Sequence, residues 1–229
     1  MGILIAIEGG DGSGKATQTE LLKKRLETEG YAVRAVSFPN YDSPASAPVK
    51  MYLNGDFGSA AGDVNAYAAS SLYAVDRFAS YRSDWETFYR KGGIVLADRY
   101  TTSNMVHQAV KMGTEEERMC FLDWLEDYEF EKIGLPRPDA VCLLDVPYEV
   151  SRRLMSGRTQ KTGGRTGDIH ENDGAYSEAT RRVYGELTTR YGWHRIACTD
   201  GDGCLRAPER VHEDVYRAIA DCLPISDRV

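Results

Sequence analysis

The sequence is poor in the residues from which metal and redox centres are built. Its cysteines are an odd five, and none forms a C-x-x-C pair. Cys120, Cys142, Cys198, Cys204 and Cys222 are scattered along the chain, which excludes a disulfide framework and zinc-ligand spacing and fits reduced thiols in the cytoplasm. The four histidines, His107, His170, His194 and His212, have no ligand spacing, and no Ser-His-Asp arrangement is readable. Long apolar runs are absent too. None approaches the ~20 residues of a membrane span, and the ILIAI run at 3–7 is too short for a signal-peptide core. Positive charge is not in excess: 28 Lys and Arg against 35 Asp and Glu leave a net charge of −7. That balance argues against a nucleic-acid polymer as partner, because such proteins carry a basic face. Internal repeats and low-complexity linkers are also missing.

What remains is an ordinary globular composition, 42% apolar and 28% charged. A chain of 229 residues is long enough for one α/β domain with a full core and short for two, so one domain over 1–229 is expected. Short β-rich runs alternate with longer helical patterns, the signature of a parallel sheet covered by helices on both faces. Strands are expected at 3–8, 33–38, 94–97, 140–145 and 194–198. The unbroken apolar runs ILIAI, IVLA and VCLLDV suit strands buried on both sides. Helices are expected at 15–29, 65–89, 103–112, 114–128, 147–155, 175–191 and 208–222. The stretch 157–173 is rich in glycine and threonine and has no apolar period, so it reads as a mobile surface loop.

Residues 9–17 read GGDGSGKAT. They match G-x-x-x-x-G-K-[ST], a phosphate-cradling loop, except at the last position. The context is correct: the loop follows a buried-type strand and opens an amphipathic helix. Backbone amides over Gly10, Asp11, Gly12, Ser13, Gly14, Lys15, Ala16 and Thr17 then converge on an anion at the positive end of a helix dipole. Lys15 adds a cation for the β- and γ-phosphates. The fold class implied is a P-loop NTPase-type three-layer α/β/α sandwich with a five-stranded parallel sheet. Ala16 stands where a hydroxyl for Mg²⁺ is expected. The Thr17 hydroxyl lies about 100° further around the helix and does not replace it. Mg²⁺ keeps most of its waters and takes few protein ligands. We therefore read Ala16 as altered metal ligation in an active enzyme.

A carboxylate must then come from elsewhere. Asp98-Arg99-Tyr100 ends the run IVLADRY, at the carboxyl end of a strand, where ligands of open α/β sheets bind. Asp98 is the candidate for the metal, directly or through water, and Arg99 can fork onto a phosphate.

With these anchors in place the chain resembles the thymidylate kinase family. The resemblance rests on EGGDGSGKATQ, SFPNY, LYAVDRFASY, DRYTTSN, LLDVP and DIHENDGAY, in that order over nearly the whole chain. It implies transfer of the ATP γ-phosphoryl group to dTMP with Mg²⁺, by an enzyme that is commonly a dimer through a helix face. It also implies roles for individual residues. Asp11 would approach the sugar hydroxyl of the monophosphate, and Phe38 and Pro39 would flank the acceptor. Tyr73 would stack on thymine and Arg77 would bond its carbonyl. Arg99 would hold the acceptor phosphate, with Asp98 close to the metal. Ser103 and Asn104 would lie near the base, joined by Gln108 one turn on. Tyr73 and Arg77, four residues apart, share a helix face, and a flat ring with a planar guanidinium suits a pyrimidine. The chain departs from several relatives in having Asn40 and Tyr41 after Phe-Pro, and Gly12 where some carry a loop arginine.

The missing cation is expected from the segment 151–173. Arg152, Arg153, Arg158, Lys161 and Arg165 fall between 151 and 167 with no acidic residue among them, and glycines at 157, 163, 164 and 167 supply hinges. This looks like the lid of a nucleoside monophosphate kinase. Arg158 is the first candidate for the catalytic arginine and Arg153 the second, while Arg165 could clamp adenine or a phosphate. Asp173 reads as a helix cap, and the role of Glu171 stays open. Two other readings are a deoxynucleoside kinase, for which only Asp42 offers a base after the second strand, and a non-catalytic nucleotide-binding protein.

Overall fold

The computed structural model of the chain describes residues 1–60, 62–156 and 174–224. Its strands are β1 (Ile3–Glu8), β2 (Val33–Ser37), β3 (Ile94–Asp98), β4 (Ala140–Asp145) and β5 (His194–Ala197). They form one sheet in the order β2-β3-β1-β4-β5, with every pairing parallel. The expected strands are all present, within one residue at each end. The three predicted to be buried on both faces are β1, β3 and β4, the inner strands, and β2 and β5 are the edges.

The helices are α1 (Lys15–Thr28), α2 (Ala47–Leu53), α3 (Ala66–Ser80), α4 (Glu86–Arg90), α5 (Thr101–Ala109), α6 (Glu115–Glu126), α7 (Tyr148–Ser156), α8 (Gly174–Tyr191) and α9 (Pro208–Ile219). Side chains alternate across a strand, so β1 sends Leu4 and Ala6 to one face and Ile5 and Ile7 to the other. The first pair joins a core with Trp85, Phe121, Leu125 and Leu187. The second joins Leu22 and Leu26 of α1 and Val211, Val215 and Ile219 of α9. Leu22 and Leu26 are fully buried. Cutting either back to alanine at such a site costs about 2–5 kcal/mol.

Three departures from the expected helices matter. The helix expected at 65–89 is one continuous rod that changes pitch: α3 runs into a π-helical turn at Tyr81–Trp85 and then into α4. Asn65 caps it, its Oδ1 accepting from the amide of Ala68 at 2.9 Å. Tyr81, Trp85 and Tyr89, at four-residue spacing across this turn, meet edge-on on the core side. The helix expected at 114–128 starts with a Thr114–Glu117 capping box and ends in a second π-helical turn, Asp127–Lys132. The sequence reading assigned nothing to Ala47–Leu53, which is helical. Its apolar residues Val49, Tyr52 and Leu53 pack on Ala69 in a small core of their own. The mobile segment expected at 157–173 lies outside the described residues.

Candidate active site

The glycine loop leaves β1 and enters α1, and its geometry follows from its glycines. Gly9, Gly12 and Gly14 have φ of 148°, 76° and 91°, the left-handed region that side chains resist. At Gly9 a β-carbon would also come within 2.7 Å of Ser13 Oγ and 2.9 Å of the Leu144 carbonyl. Among the described residues, the amides of Gly12, Gly14, Lys15 and Ala16 donate to no acceptor. They form the cradle of N–H groups that an anion would fill. Lys15 Nζ donates to the carbonyls of Gly9 at 3.0 Å and Gly10 at 2.9 Å, so the ammonium is folded over the loop. Burial, helped by the charge of Arg99, pulls the Lys15 ammonium down to about 8. Ala16 and Thr17 both face solvent.

Glu8 was not among the residues singled out in the sequence, yet it organises this corner. It is fully buried at the end of β1. Its carboxylate accepts from the Tyr100 amide at 3.2 Å, Thr102 Oγ1 at 2.6 Å, Ser103 Oγ at 2.6 Å and the Tyr184 hydroxyl at 3.0 Å. One buried acid thus ties the loop strand to the turn after β3, to α5 and to α8. The available signal was an acidic residue closing an otherwise apolar strand.

Asp98 and Arg99 sit at the carboxyl end of β3, next to the loop, because Ile7 and Asp98 are partners in the ladder. Arg99 has φ 67°, a left-handed backbone costing a non-glycine residue about 1–2 kcal/mol. Its Nη2 donates to Asp11 Oδ1 at 2.6 Å and its Nη1 to Ser103 Oγ at 3.2 Å, with His107 Nε2 at 3.4 Å. Burial raises the Asp11 carboxyl, but the charges of Arg99 and Lys15 outweigh it and hold the group well below the usual range. Burial pushes the Asp98 carboxyl up despite the nearby Lys15 charge.

The Asp98 carbonyl accepts from the Phe38 amide at 3.0 Å, but its carboxylate makes no hydrogen bond to any described residue, and no cluster of three metal-ligating side chains occurs among them. The donor set therefore fits Mg²⁺ held by one carboxylate, phosphate oxygens and water, and not an all-protein cage.

Beside Arg99 opens a cleft of about 160 Å³. It is lined by Asp11, Phe38, Pro39, Tyr73, Arg77, Arg99, Ser103, Asn104 and Gln108, all of the residues that the sequence proposed for an acceptor nucleotide. Tyr41, Leu53 and His107 complete it, and sequence reasoning had no role for them. The Phe38–Pro39 peptide is cis. Tyr73 meets Tyr52 edge-on at 6.2 Å between ring centres. Arg77 is only 2% exposed and pairs with Glu129 of the second π-helical turn. The Ser103 hydroxyl is committed to Glu8 and to Arg99. Asn104 Oδ1 and Gln108 Oε1 are buried acceptors with no partner.

A second cavity of about 500 Å³ lies beyond β4, between α7 and α8. Asp11 and His107 line both spaces. Of the two adjacent arginines of α7, Arg152 lines this cavity. Arg153, the one favoured from sequence, is exposed, and its Nε donates to the Glu149 carbonyl of its own helix at 3.3 Å. Arg158, Lys161, Arg165, Glu171 and Asp173 lie outside the described residues.

The family model for thymidylate kinase matches residues 7–202, a span that includes every residue of the loop, the strand ends and the cleft. The chain belongs to the thymidylate kinase family. A thymidylate kinase of Mycobacterium tuberculosis is 34% identical over 192 residues, covering 83% of this chain and 87% of that one. A probable thymidylate kinase of Thermococcus gammatolerans is 33% identical over 164 residues, or 71% and 74% of the two chains. The solved structure of the Candida albicans thymidylate kinase superposes with a TM-score of 0.70 at 20% identity, over 96% of this chain and 92% of that one. At that identity it supports the fold. Phosphorylation of dTMP is the reaction of the thymidylate kinase family.

Proposed function

We propose that the protein transfers the γ-phosphoryl group of ATP to dTMP, giving dTDP. The observation that carries this is the shared corner: an amide cradle with Lys15 on one side of Asp11 and Arg99, and a pyrimidine-sized cleft on the other. Phosphoryl transfer asks a protein mainly to hold donor and acceptor in line and to stabilise charge. Lys15 and the loop amides hold the triphosphate. Arg99 leaves Asp11 to take the acceptor phosphate, and Asp11 turns to the sugar hydroxyl. Tyr73 stacks on the base, and Arg77 and Asn104 read its edge. Bound Mg²⁺ would neutralise phosphate oxygens beside Asp98. The cation for the transferring group comes from the 151–173 segment, from Arg158 first and Arg153 second. The protein works in the cytoplasm.

The deciding assay incubates the protein with ATP, Mg²⁺ and, separately, dTMP, dUMP, UMP, AMP and thymidine, and follows ADP release. Turnover of dTMP above the rest is expected. Turnover of thymidine would replace this reading with a nucleoside kinase, and binding without turnover with a non-catalytic protein.

The Lys15 ammonium implies a pH dependence of nucleotide binding. In the free protein its pKa is lowered, so above pH 8 the lysine loses its proton. Phosphate oxygens favour the charged form, so binding must take a proton up again. Affinity for ATP is expected to weaken as pH rises past 8, approaching about tenfold per unit. Calorimetry at pH 9 in two buffers of different ionisation enthalpy should register proton uptake; equal heats would refute it.

A homodimer forms through the outer face of α3, where Val75 and Phe78 are 50% and 40% exposed beside a half-buried Leu72. Phe78→Glu is expected to give a monomer in sedimentation equilibrium at micromolar protein, with an unchanged circular-dichroism spectrum.

A further inference from the structure

The acceptor cleft has a buried support that sequence reasoning missed. Glu129 is fully buried and lies in the π-helical turn Asp127–Lys132, away from the cleft lining. Its two oxygens accept four hydrogen bonds. Arg77 donates Nε at 2.7 Å and Nη2 at 2.5 Å, Thr101 donates Oγ1 at 2.7 Å, and Asn104 donates Nδ2 at 3.1 Å. The extra residue of a π turn rotates the helix face locally, which brings this carboxylate onto α3 and α5 at once.

Two consequences follow from donor and acceptor chemistry. The Asn104 atom near Glu129 also lies 3.3 Å from the Ser70 carbonyl, so it faces two pure acceptors and must be the amide nitrogen. The orientation of that amide is therefore dictated, and Oδ1 is left as a buried acceptor without a partner. The Arg77 guanidinium is clamped along one edge, leaving Nη1 with no bond to a described residue. The cleft then offers a fixed donor from Arg77 and a fixed acceptor from Asn104. A pyrimidine with a ring N–H beside a carbonyl satisfies both. Cytosine, with an amine beside a ring nitrogen that carries no hydrogen, satisfies neither.

We propose that Glu129 is a positioning residue that fixes the polarity of Arg77 and Asn104, and so sets selection of thymine and uracil nucleotides against cytosine. A buried ion pair is poor evidence of stabilisation, since well-packed apolar residues often serve as well, but it does hold a hydrogen-bonding pattern in one orientation. This inference rests on the dTMP kinase reading.

The test compares dTMP and dCMP as acceptors for the wild type, Glu129→Gln and Thr101→Val. The wild type is expected to favour dTMP by about 10⁴ in kcat/KM, as sites built to hydrogen-bond their substrate do. Glu129→Gln keeps the shape but puts a donor against Arg77 in either amide orientation, with Asn104 facing it in one and Thr101 in the other, so Arg77 must turn. Its kcat/KM for dTMP should fall about 30–100-fold, mostly through KM, with KM for ATP unchanged. Activity on dCMP should change less than about threefold, so the preference narrows at least about tenfold. Thr101→Val removes one of the four bonds and should narrow the preference about threefold in a stably folded protein. If Glu129→Gln does not fold, Thr101→Val decides alone. Equal losses on both acceptors, leaving the ratio unchanged in the folded variants, would mean a merely structural Glu129 and overturn the inference. A wild type inactive on dTMP would overturn the kinase reading, and the inference with it.

Discussion

Lys15→Ala is expected to lower kcat/KM for ATP by about 10³-fold, the scale set by removing a charge aimed at a transferring phosphoryl group. The lysine is the one buried cation of the glycine loop, and it is folded onto the carbonyls of Gly9 and Gly10. Swinging from those carbonyls to phosphate exchanges weak acceptors for charged ones. The loss should divide between kcat and KM for ATP, with KM for dTMP nearly unchanged, because Asp11, Arg99 and the acceptor cleft do not depend on Lys15 for their bonds. Thermal stability should hold or rise. The folded-state pKa of Lys15 is lowered, so a cost of charging the buried ammonium is present at neutral pH and vanishes only as pH rises above 8. Steady-state kinetics with a melting curve checks both parts. Activity within tenfold of the wild type would remove Lys15 from the site.

Arg99→Ala is expected to cost about 10³-fold in kcat/KM for dTMP, through both kcat and KM, since a phosphate clamp both binds and aligns. A companion variant separates chemistry from structure. Arg99 holds φ 67°, which alanine tolerates poorly and glycine well. Arg99→Gly should lose as much activity as Arg99→Ala yet melt higher than it, by the equivalent of about 1 kcal/mol. Both variants also release Asp11 from its 2.6 Å partner. Although the Asp11 carboxylate is partly desolvated in this corner, solvent still reaches its side chain, which limits what the ion pair adds to stability. A wild-type KM for dTMP in either variant would mean that the acceptor phosphate is held elsewhere.

The sequence made the architecture legible because its signals are local. Three apolar runs marked the inner strands, GGDGSGK marked a loop between strand and helix, and the lysine after the last glycine marked an anion site. Ala47–Leu53 escaped because a seven-residue helix has little periodicity and gains its stability from Ala69 and Leu72 of a neighbour. The π-helical turns escaped for a related reason. Tyr81, Trp85 and Tyr89 are spaced as in any helix, and only the backbone hydrogen bonds, such as that from the Glu86 amide to the Tyr81 carbonyl, show that the pitch has widened.

The candidate acceptor residues were named in the sequence through the order of the motifs along the chain, and the structure gathers all of them about one cleft. What escaped was their support. Glu8 and Glu129 look like ordinary acidic residues at element ends, and only the apolar strand before Glu8 hints at burial. Their partners lie far away: Glu8 bonds residues 92 to 176 positions distant, and Glu129 reaches Arg77 across 52. Arg152 and Arg153 are adjacent and chemically identical, and only the docking of α7 turns the first toward the cavity.

The amino-acid sequence by itself determined the strands and the glycine loop, which follow from short-range patterns of apolar side chains and glycine, and its resemblance to the family named the candidate groups for a nucleotide. Tertiary structure alone decided which way those groups face. Burying a carboxylate requires donors around it, and in this fold the donors for Glu8 and Glu129 come from separate helices that meet only once the sheet has brought them together.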